Sequence, residues 1–281
     1  MKKWLQHPTA PACFIGLISY IAAIFFIFIH PGISAVILSG FVMLCLAASF
    51  VPGMGIYLPV IQRGTKTGNA VAITFDDGPH PLTTPLLLKT LARHGLKATF
   101  FVIGRNAEKH PDLIRKILRA GHCIGNHTYR HDVFIMTKPE QTLEREIDFA
   151  QAAFKQFGIR PLAFRPPVGI VNPKLGPLLK QRGMICIHYS CRGPDLGNRR
   201  IRGLSGKILK KIRPGDIVLL HDTCPPAQSD SHADAPNLKV DHFNLDQWID
   251  EIEKIIAGIS QKGLRIIPLP ELIDGSVMIE I

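Results

Sequence analysis

Five groups of residues in this chain could act together chemically: Asp76-Asp77, the pair His127 and His131, Arg165, Asp195 and His221. Asp77 and the two histidines offer one carboxylate and two imidazoles. Three protein ligands with a fourth position open describe a catalytic zinc centre, whose water ionises far more readily than free water. Asp76, beside a ligand, can take that water's proton. Arg165 can pair with Asp76 and hold it in place. His221 can protonate a leaving amine. Asp195 can orient His221 and raise its pKa, so that it carries a proton near neutral pH. The metal and a backbone N–H would stabilise the tetrahedral oxyanion. The reaction class is metal-assisted hydrolysis of an amide or ester. Each piece alone is ordinary: Asp-Gly-Pro after a strand is a turn signal, and a histidine after Ile217-Val218-Leu219-Leu220 suits a core position.

The weight comes from where these residues fall. After Gly68 the sequence alternates short β-rich runs with amphipathic stretches. Strands are expected at Ala70–Phe75, Ala98–Ile103, His122–Asn126, Leu162–Arg165, Met184–Tyr189, Asp216–Leu220 and Leu264–Pro268. Helices are expected at about 84–94, 107–120, 139–157, 173–182, 203–212 and 246–262. Thr137-x-x-Glu140 reads as a capping box, and Asn172-Pro173 as an N-cap followed by Pro at the first helical position. Such alternation implies an α/β fold with parallel strands and helical crossovers. About seven strands favour a barrel over an open doubly wound sheet, and no G-x-G-x-x-G follows the first strand. In a parallel barrel the catalytic groups sit at the carboxyl ends of the strands, which is where all five groups fall. The Pro-, Ser-, Ala- and Asp-rich stretch from Cys224 to Phe243 is expected to be a long loop at the mouth.

Together these residues resemble the polysaccharide deacetylases (the NodB-homology domain, carbohydrate esterase family four). The resemblance rests on T-F-D-D-G-P at 74–79, H-T-Y-R-H at 127–131, R-P-P-V-G at 165–169 and L-L-H at 219–221, and covers about 66–270. It implies a distorted (β/α) barrel of seven to eight units, a divalent metal (usually zinc) and removal of N- or O-acetyl groups from sugars. It also implies Asp76 as base, Asp77, His127 and His131 as ligands, His221 as acid and the backbone N–H of Val168 as oxyanion donor. The sequence departs from the family in two places. Val168 stands where an aromatic is common, and no Trp stands beside Asp195 in Cys191–Leu196. The second departure argues against a groove for a long polysaccharide.

The chain ahead of this domain has a different character. Between Trp4 and Gln62 there is no Asp, Glu, Lys or Arg. Residues 13–29 and 33–51 are each close to the roughly 20 apolar residues that cross a bilayer, and His30-Pro31-Gly32 between them is a turn signal. The division expected is a membrane hairpin within 1–62 and a catalytic domain over 66–281. The apolar region is too long for a cleaved signal peptide. Lys2 and Lys3 at one end, with Arg63 and Lys66 at the other, place both ends, and so the catalytic domain, in the cytoplasm by the positive-inside rule. Without Lys2 and Lys3 the net charge of +11 becomes +9, so the remainder is basic by itself. A basic surface suits an anionic partner such as a lipid headgroup, and no nucleic-acid-binding motif accompanies it. Six scattered Cys form neither a disulfide framework nor a structural zinc motif.

The expected function is removal of an N-acyl group, acetyl or formyl, from an amino sugar in a membrane-associated glycolipid or glycan, by a multi-pass membrane protein. Three alternatives stay open: an O-acetyl esterase, a cell-wall polymer deacetylase facing outward, and a catalytically silent glycan-binding module on the same fold.

Overall fold

A computed structural model describes residues 11–64, 68–195, 197–225 and 243–281. Lys2, Lys3, Lys66 and nearly all of the Cys224–Phe243 stretch therefore lie outside the described residues.

Helices α1 (Pro11–Ile27) and α2 (Pro31–Phe50) come first. They pack antiparallel and close: Ser34 Oγ donates to Ala23 O at 2.7 Å, and a Cβ on Gly16 would lie 2.8 Å from the Phe41 ring. Both start two residues ahead of the expected spans. Pro31 is not in the turn but opens α2, where its missing N–H costs no helical bond. By length and composition α2 can cross a membrane, whereas α1 is a shorter apolar helix. The base of the pair is tied to the rest of the chain. Ala12 N–H donates to Ile56 O at 3.0 Å, and Val171 N–H to Ser49 O at 3.1 Å. Ala48 is buried in one cluster with Ile56, Tyr57, Leu58, Ile135, Met136 and Val171.

The rest is a curled parallel sheet wrapped by helices, the expected α/β barrel architecture. Its strands are β1 (Val60–Ile61), β2 (Ala70–Asp76), β3 (Thr99–Val102), β4 (Cys123–Asn126), β6 (Ala163–Phe164), β7 (Ile185–Ile187), β8 (Cys191–Arg192) and β9 (Ile217–His221). They run β1-β7-β6-β4-β3-β2-β9-β8, all in parallel. Among the described residues no pairing joins β1 to β8, so the barrel is open there. β10 (Arg265–Ile266) adds to the start of β2, and β11 (Met278–Glu280) pairs antiparallel with β5 (Ile159–Pro161). β1, β5, β8 and β11 are two or three residues long, and none was expected; so short a run carries no period.

Strand β2 shows how the sheet presents chemistry. All seven of its residues are buried, as expected for a parallel strand covered on both faces. Val71, Ile73 and Phe75 pack with Leu87 and Leu91 of α3 (Thr83–Arg93). Alternation then turns Ala72, Thr74 and Asp76 to the opposite, interior face. Small residues there leave room for polar groups near the carboxyl end. At the amino ends of β2 and β9, the short helix over Leu269–Ile273 packs against Ala70 and Ile217.

Three local expectations fail. The helix expected over 107–120 is two helices, Gly104–Lys109 and Pro111–Arg119, because Pro111 cannot continue the first and instead starts the second. Thr137 is no cap: its hydroxyl donates to Phe134 O, and the helix Glu140–Lys155 begins after Pro139 with no side-chain cap. Asn172 Oδ1 does accept from Lys174 N and Leu175 N, but the helix begins only at Leu175 with Lys174 as its N-cap, so Pro173 lies in the turn ahead of it and not at the first helical position. All six cysteines are free thiols.

Candidate active site

Asp76 ends β2, and its residue-level partner on neighbouring β9 is His221. The turn that follows puts Asp77 in the left-handed region at φ 74°, so consecutive aspartates aim differently. Asn106 Nδ2 fixes this turn by donating to Asp77 O at 3.0 Å. Asp222 holds it from below. Both of its oxygens accept at 2.6 Å, from Thr83 Oγ1 and Thr84 Oγ1, and a Cβ on Gly78 would lie 2.5 Å from its Oδ2. Only glycine fits there. Burial pushes the Asp222 carboxyl up to about 7, with Asp77 adding to the effect and the two hydroxyls opposing it.

The two histidines are set by the turn after β4. Thr128 N donates to Asn126 Oδ1, His131 N to Thr128 Oγ1, and the N–H groups of Tyr129 and Arg130 both reach Glu146 Oε2. Thr128 and His131 both take positive φ, at 64° and 58°. Residues held in such conformations cluster at functional sites, where surrounding bonds over-determine them. The result brings His127 Nε2 to 3.4 Å and His131 Nε2 to 3.2 Å from Asp77 Oδ1. One ligand atom from each of the three lies within 4.8 Å of the others. His127 Nδ1 donates to Arg165 O at 2.7 Å, which leaves its Nε2 lone pair facing Asp77. Asp77 Oδ1 is buried and makes no hydrogen bond among the described residues. A buried carboxylate oxygen without a donor, facing two imidazole nitrogens, fits a divalent cation. Burial alone would raise Asp77, but His127 first, and then His131 and His221, hold it far below the usual carboxylate range.

Arg165 is 1% exposed, and every bond it makes is to the site's frame. Nη1 donates to Asp76 Oδ1 at 2.6 Å and to Thr74 Oγ1 at 2.8 Å; Nη2 donates to His188 O at 2.7 Å, and Nε to Ile187 O at 3.2 Å. Its guanidinium lies over the Phe101 ring, 3.9 Å from the centroid. Three residues on, Val168 occupies a left-handed kink at φ 50°, ψ 10° and stands exposed. For a β-branched residue this is a true outlier.

On the far side, His221 Nδ1 bonds Asp195 Oδ2 at 2.8 Å. Burial works against a charged His221, but the bond and charge of Asp195, with Asp77 and Asp76 behind it, push its pKa up to about 9. Asp195 is buried three residues beyond β8, the short strand the sequence did not announce. Asn198, in the left-handed region at φ 66°, donates from Nδ2 to His221 O and Thr223 O and so carries the loop across. The structure thus gathers all eight expected site residues at one end of the sheet.

Several residues that build the site went unrecognised: Glu146, Asn126, Asn198, Asp222 and His188. Asp222 stands beside His221, and its position was the available signal. His188 is buried next to Gly169, with its Nε2 unbonded; burial first, then the nearby Arg165 and His127, depress it to about 3. Nothing in its sequence context distinguishes it from a core histidine.

Residues 63–187 match the family model described as polysaccharide deacetylase. A chitooligosaccharide deacetylase of Sinorhizobium fredii is 32% identical over 219 residues, covering 76% of this chain and 97% of that protein. A peptidoglycan-N-acetylglucosamine deacetylase of Bacillus cereus is 31% identical over 205 residues, covering 72% and 87%. Among solved structures, a peptidoglycan N-acetylglucosamine deacetylase superposes with a TM-score of 0.67 at 28% identity, covering 78% of this chain and 94% of that one. A family 4 pseudoenzyme from Bacillus anthracis shares the fold, with a TM-score of 0.64 at 21% identity over 76% and 68%. The fold alone therefore does not decide activity, and the side chains must.

Proposed function

The chain belongs to the polysaccharide deacetylase family, and on that premise we propose that it removes the N-acetyl group of an N-acetylglucosamine unit through the site at the carboxyl ends of β2, β4, β6 and β9. It is a hydrolase of carbon–nitrogen bonds other than peptide bonds, and its class is metal-dependent. The observation that carries the reading is the buried, donor-less Asp77 Oδ1 facing His127 and His131, beside an Asp76–Arg165 pair.

Asp77, His127 and His131 would hold the metal, and one carboxylate with two imidazoles suits zinc. When bound, it would polarise the acyl carbonyl and favour ionisation of water. Asp76 Oδ2, its other oxygen being bound by Arg165, takes the proton of the attacking water. Arg165 keeps that carboxylate in one orientation. The Val168 N–H, on its kinked turn, donates to the developing oxyanion. His221 gives its proton to the departing amine, and Asp195 keeps it charged and pointed for that step.

Membrane association through α1 and α2 belongs to the same proposal. It places the substrate in a glycolipid or glycan at the membrane, with acetyl as the acyl group and formyl as the alternative. The orientation with the catalytic domain in the cytoplasm rests on Lys2, Lys3, Arg63 and Lys66. Arg63 pairs with Asp216 at 2.9 Å, so its charge is partly spent inside the domain. The outward-facing reading is favoured by the relatives whose names specify peptidoglycan.

The direct test is acetate release from N-acetylglucosamine oligomers. A chelator abolishes release and added zinc restores it. Asp76→Asn lowers kcat by about a thousandfold, within the range for losing a general base, and leaves metal binding intact. Full activity in the Asp76→Asn protein would remove the proposed base.

A further inference from the structure

Three large apolar side chains stand exposed on the rim of the site. Val133 (43% exposed) and Phe134 (68%) lie on the loop after the metal-ligand turn, and Val168 (52%) on the kink after Arg165. Leaving such side chains in water is unfavourable, so an apolar rim at a hydrolase mouth calls for a partner.

The rim is continuous with the base of the helix pair. Ile135 and Met136 directly follow Phe134, Val171 follows Val168 by three residues, and all three pack in the cluster that contains Ala48 of α2. Asn172 Nδ2 ties the two rim loops together through Met136 O at 2.7 Å, and Val171 N–H is bonded to Ser49 O in the last turn of α2. Phe50, Val51 and Met54 extend the exposed apolar surface at that base. α2 has 20 residues, which is about 30 Å of helix and matches a hydrocarbon core. If α2 spans, its last turn lies at the lipid–water boundary and brings the bonded rim loops to the same depth. One unpaired cation sits beside this band among the described residues: Lys174 Nζ donates to Lys138 O at 3.0 Å, whereas the Lys138 ammonium pairs with Asp132 on the rim loop itself. Apolar side chains flanked by Lys suit an anionic lipid surface.

From this continuity we infer that the Val133–Phe134–Val168 rim seats on an anionic bilayer surface, so that the site opens along the membrane and takes an N-acyl amino sugar carried on a lipid anchor in preference to a sugar free in solution. The inference rests on the proposed membrane-anchored deacetylase and names the form in which its substrate arrives.

The test uses the full chain in vesicles of phosphatidylcholine and phosphatidylglycerol. Two substrates are compared: N-acetylglucosamine on a dialkyl lipid, and the soluble N-acetylglucosamine tetramer. The double variant Val133→Ser, Phe134→Ser is expected to lose about tenfold in kcat/KM on the lipid-borne substrate, the factor that about 1.4 kcal/mol gives, and to stay near wild type on the tetramer. Equal losses on both, or no loss on either, overturn the inference. A second measurement needs no turnover. In a Trp4→Phe background, Phe134→Trp is expected to be quenched by brominated lipid, and Lys262→Trp, on the opposite end of the sheet, is not. Equal quenching at the two positions overturns the inference. So does a Phe134→Trp probe that is shielded from aqueous iodide but not quenched by lipid, which would mean a second copy of the chain covers the rim. If the wild type cleaves neither substrate, the deacetylase reading falls, while the quenching result still judges the rim.

Discussion

On one side of the site, Arg165 is enclosed by bonds to Asp76, Thr74, Ile187 and His188 and by the face of Phe101. On the other, His221 has one side-chain hydrogen-bond partner among the described residues, Asp195, which stands on a loop beyond a two-residue strand. The first arm is built into adjacent strands, so its geometry comes with the sheet. The second crosses from the sheet to a loop held by Asn198. A group that must hold a metal and a base in register gains from the rigid frame. A group that passes a proton needs one good bond and a raised pKa.

If this contrast is right, damage to the two arms differs in kind as well as in size. Arg165→Met is expected to be the most severe change. It leaves the Asp76 carboxylate buried without its cation and two carbonyls without donors, at about 3 kcal/mol or more. The melting temperature, followed by circular dichroism, should fall by about 10 °C, and activity should vanish with it. A melting temperature near wild type would mean that the enclosed arm is not what holds the frame.

His221→Ala should lower kcat by about a hundredfold while the melting temperature barely moves, since the side chain is lightly supported. The smallest expected effect is the most diagnostic. The protonated form of His221 is the active one, and it is lost as pH rises through its pKa, near 9 in the metal-free chain. Removing the Asp195 carboxylate removes the main contribution that raises that pKa. In Asp195→Asn the alkaline limb of kcat/KM should move to lower pH, with activity on the acid side changed by about tenfold or less. An unmoved alkaline limb would separate Asp195 from the acid function.

The same contrast explains what the sequence allowed to be read. The residues borne on strands are legible because β2, β3, β4 and β9 carry buried runs whose ends are marked by Asp76-Asp77, His127 and, for the catalytic histidine of the second arm, His221. Period and position sufficed. The loop-borne arm was harder. β8 is too short to leave a period, and Asp195 follows it without a landmark. The supporting polar residues escaped for another reason. Glu146 lies on a helix 15 residues beyond His131 in sequence, yet its carboxylate holds the turn that presents His131. Only the fold brings the two together. The helix pair was found from composition alone, but its attachment through Ala48, Ser49 and Val171 depends on packing that no hydropathy pattern records.

The claim at the centre is that Asp77, His127 and His131 form one metal site. Isothermal titration of zinc into the chelator-stripped protein tests it most directly. The expected result is one zinc per chain in the wild type, with affinity lost by at least about a hundredfold in His131→Ala, which removes one of three ligands. Zinc that binds His131→Ala as tightly as wild type, or no stoichiometric binding to the wild type, would contradict the account.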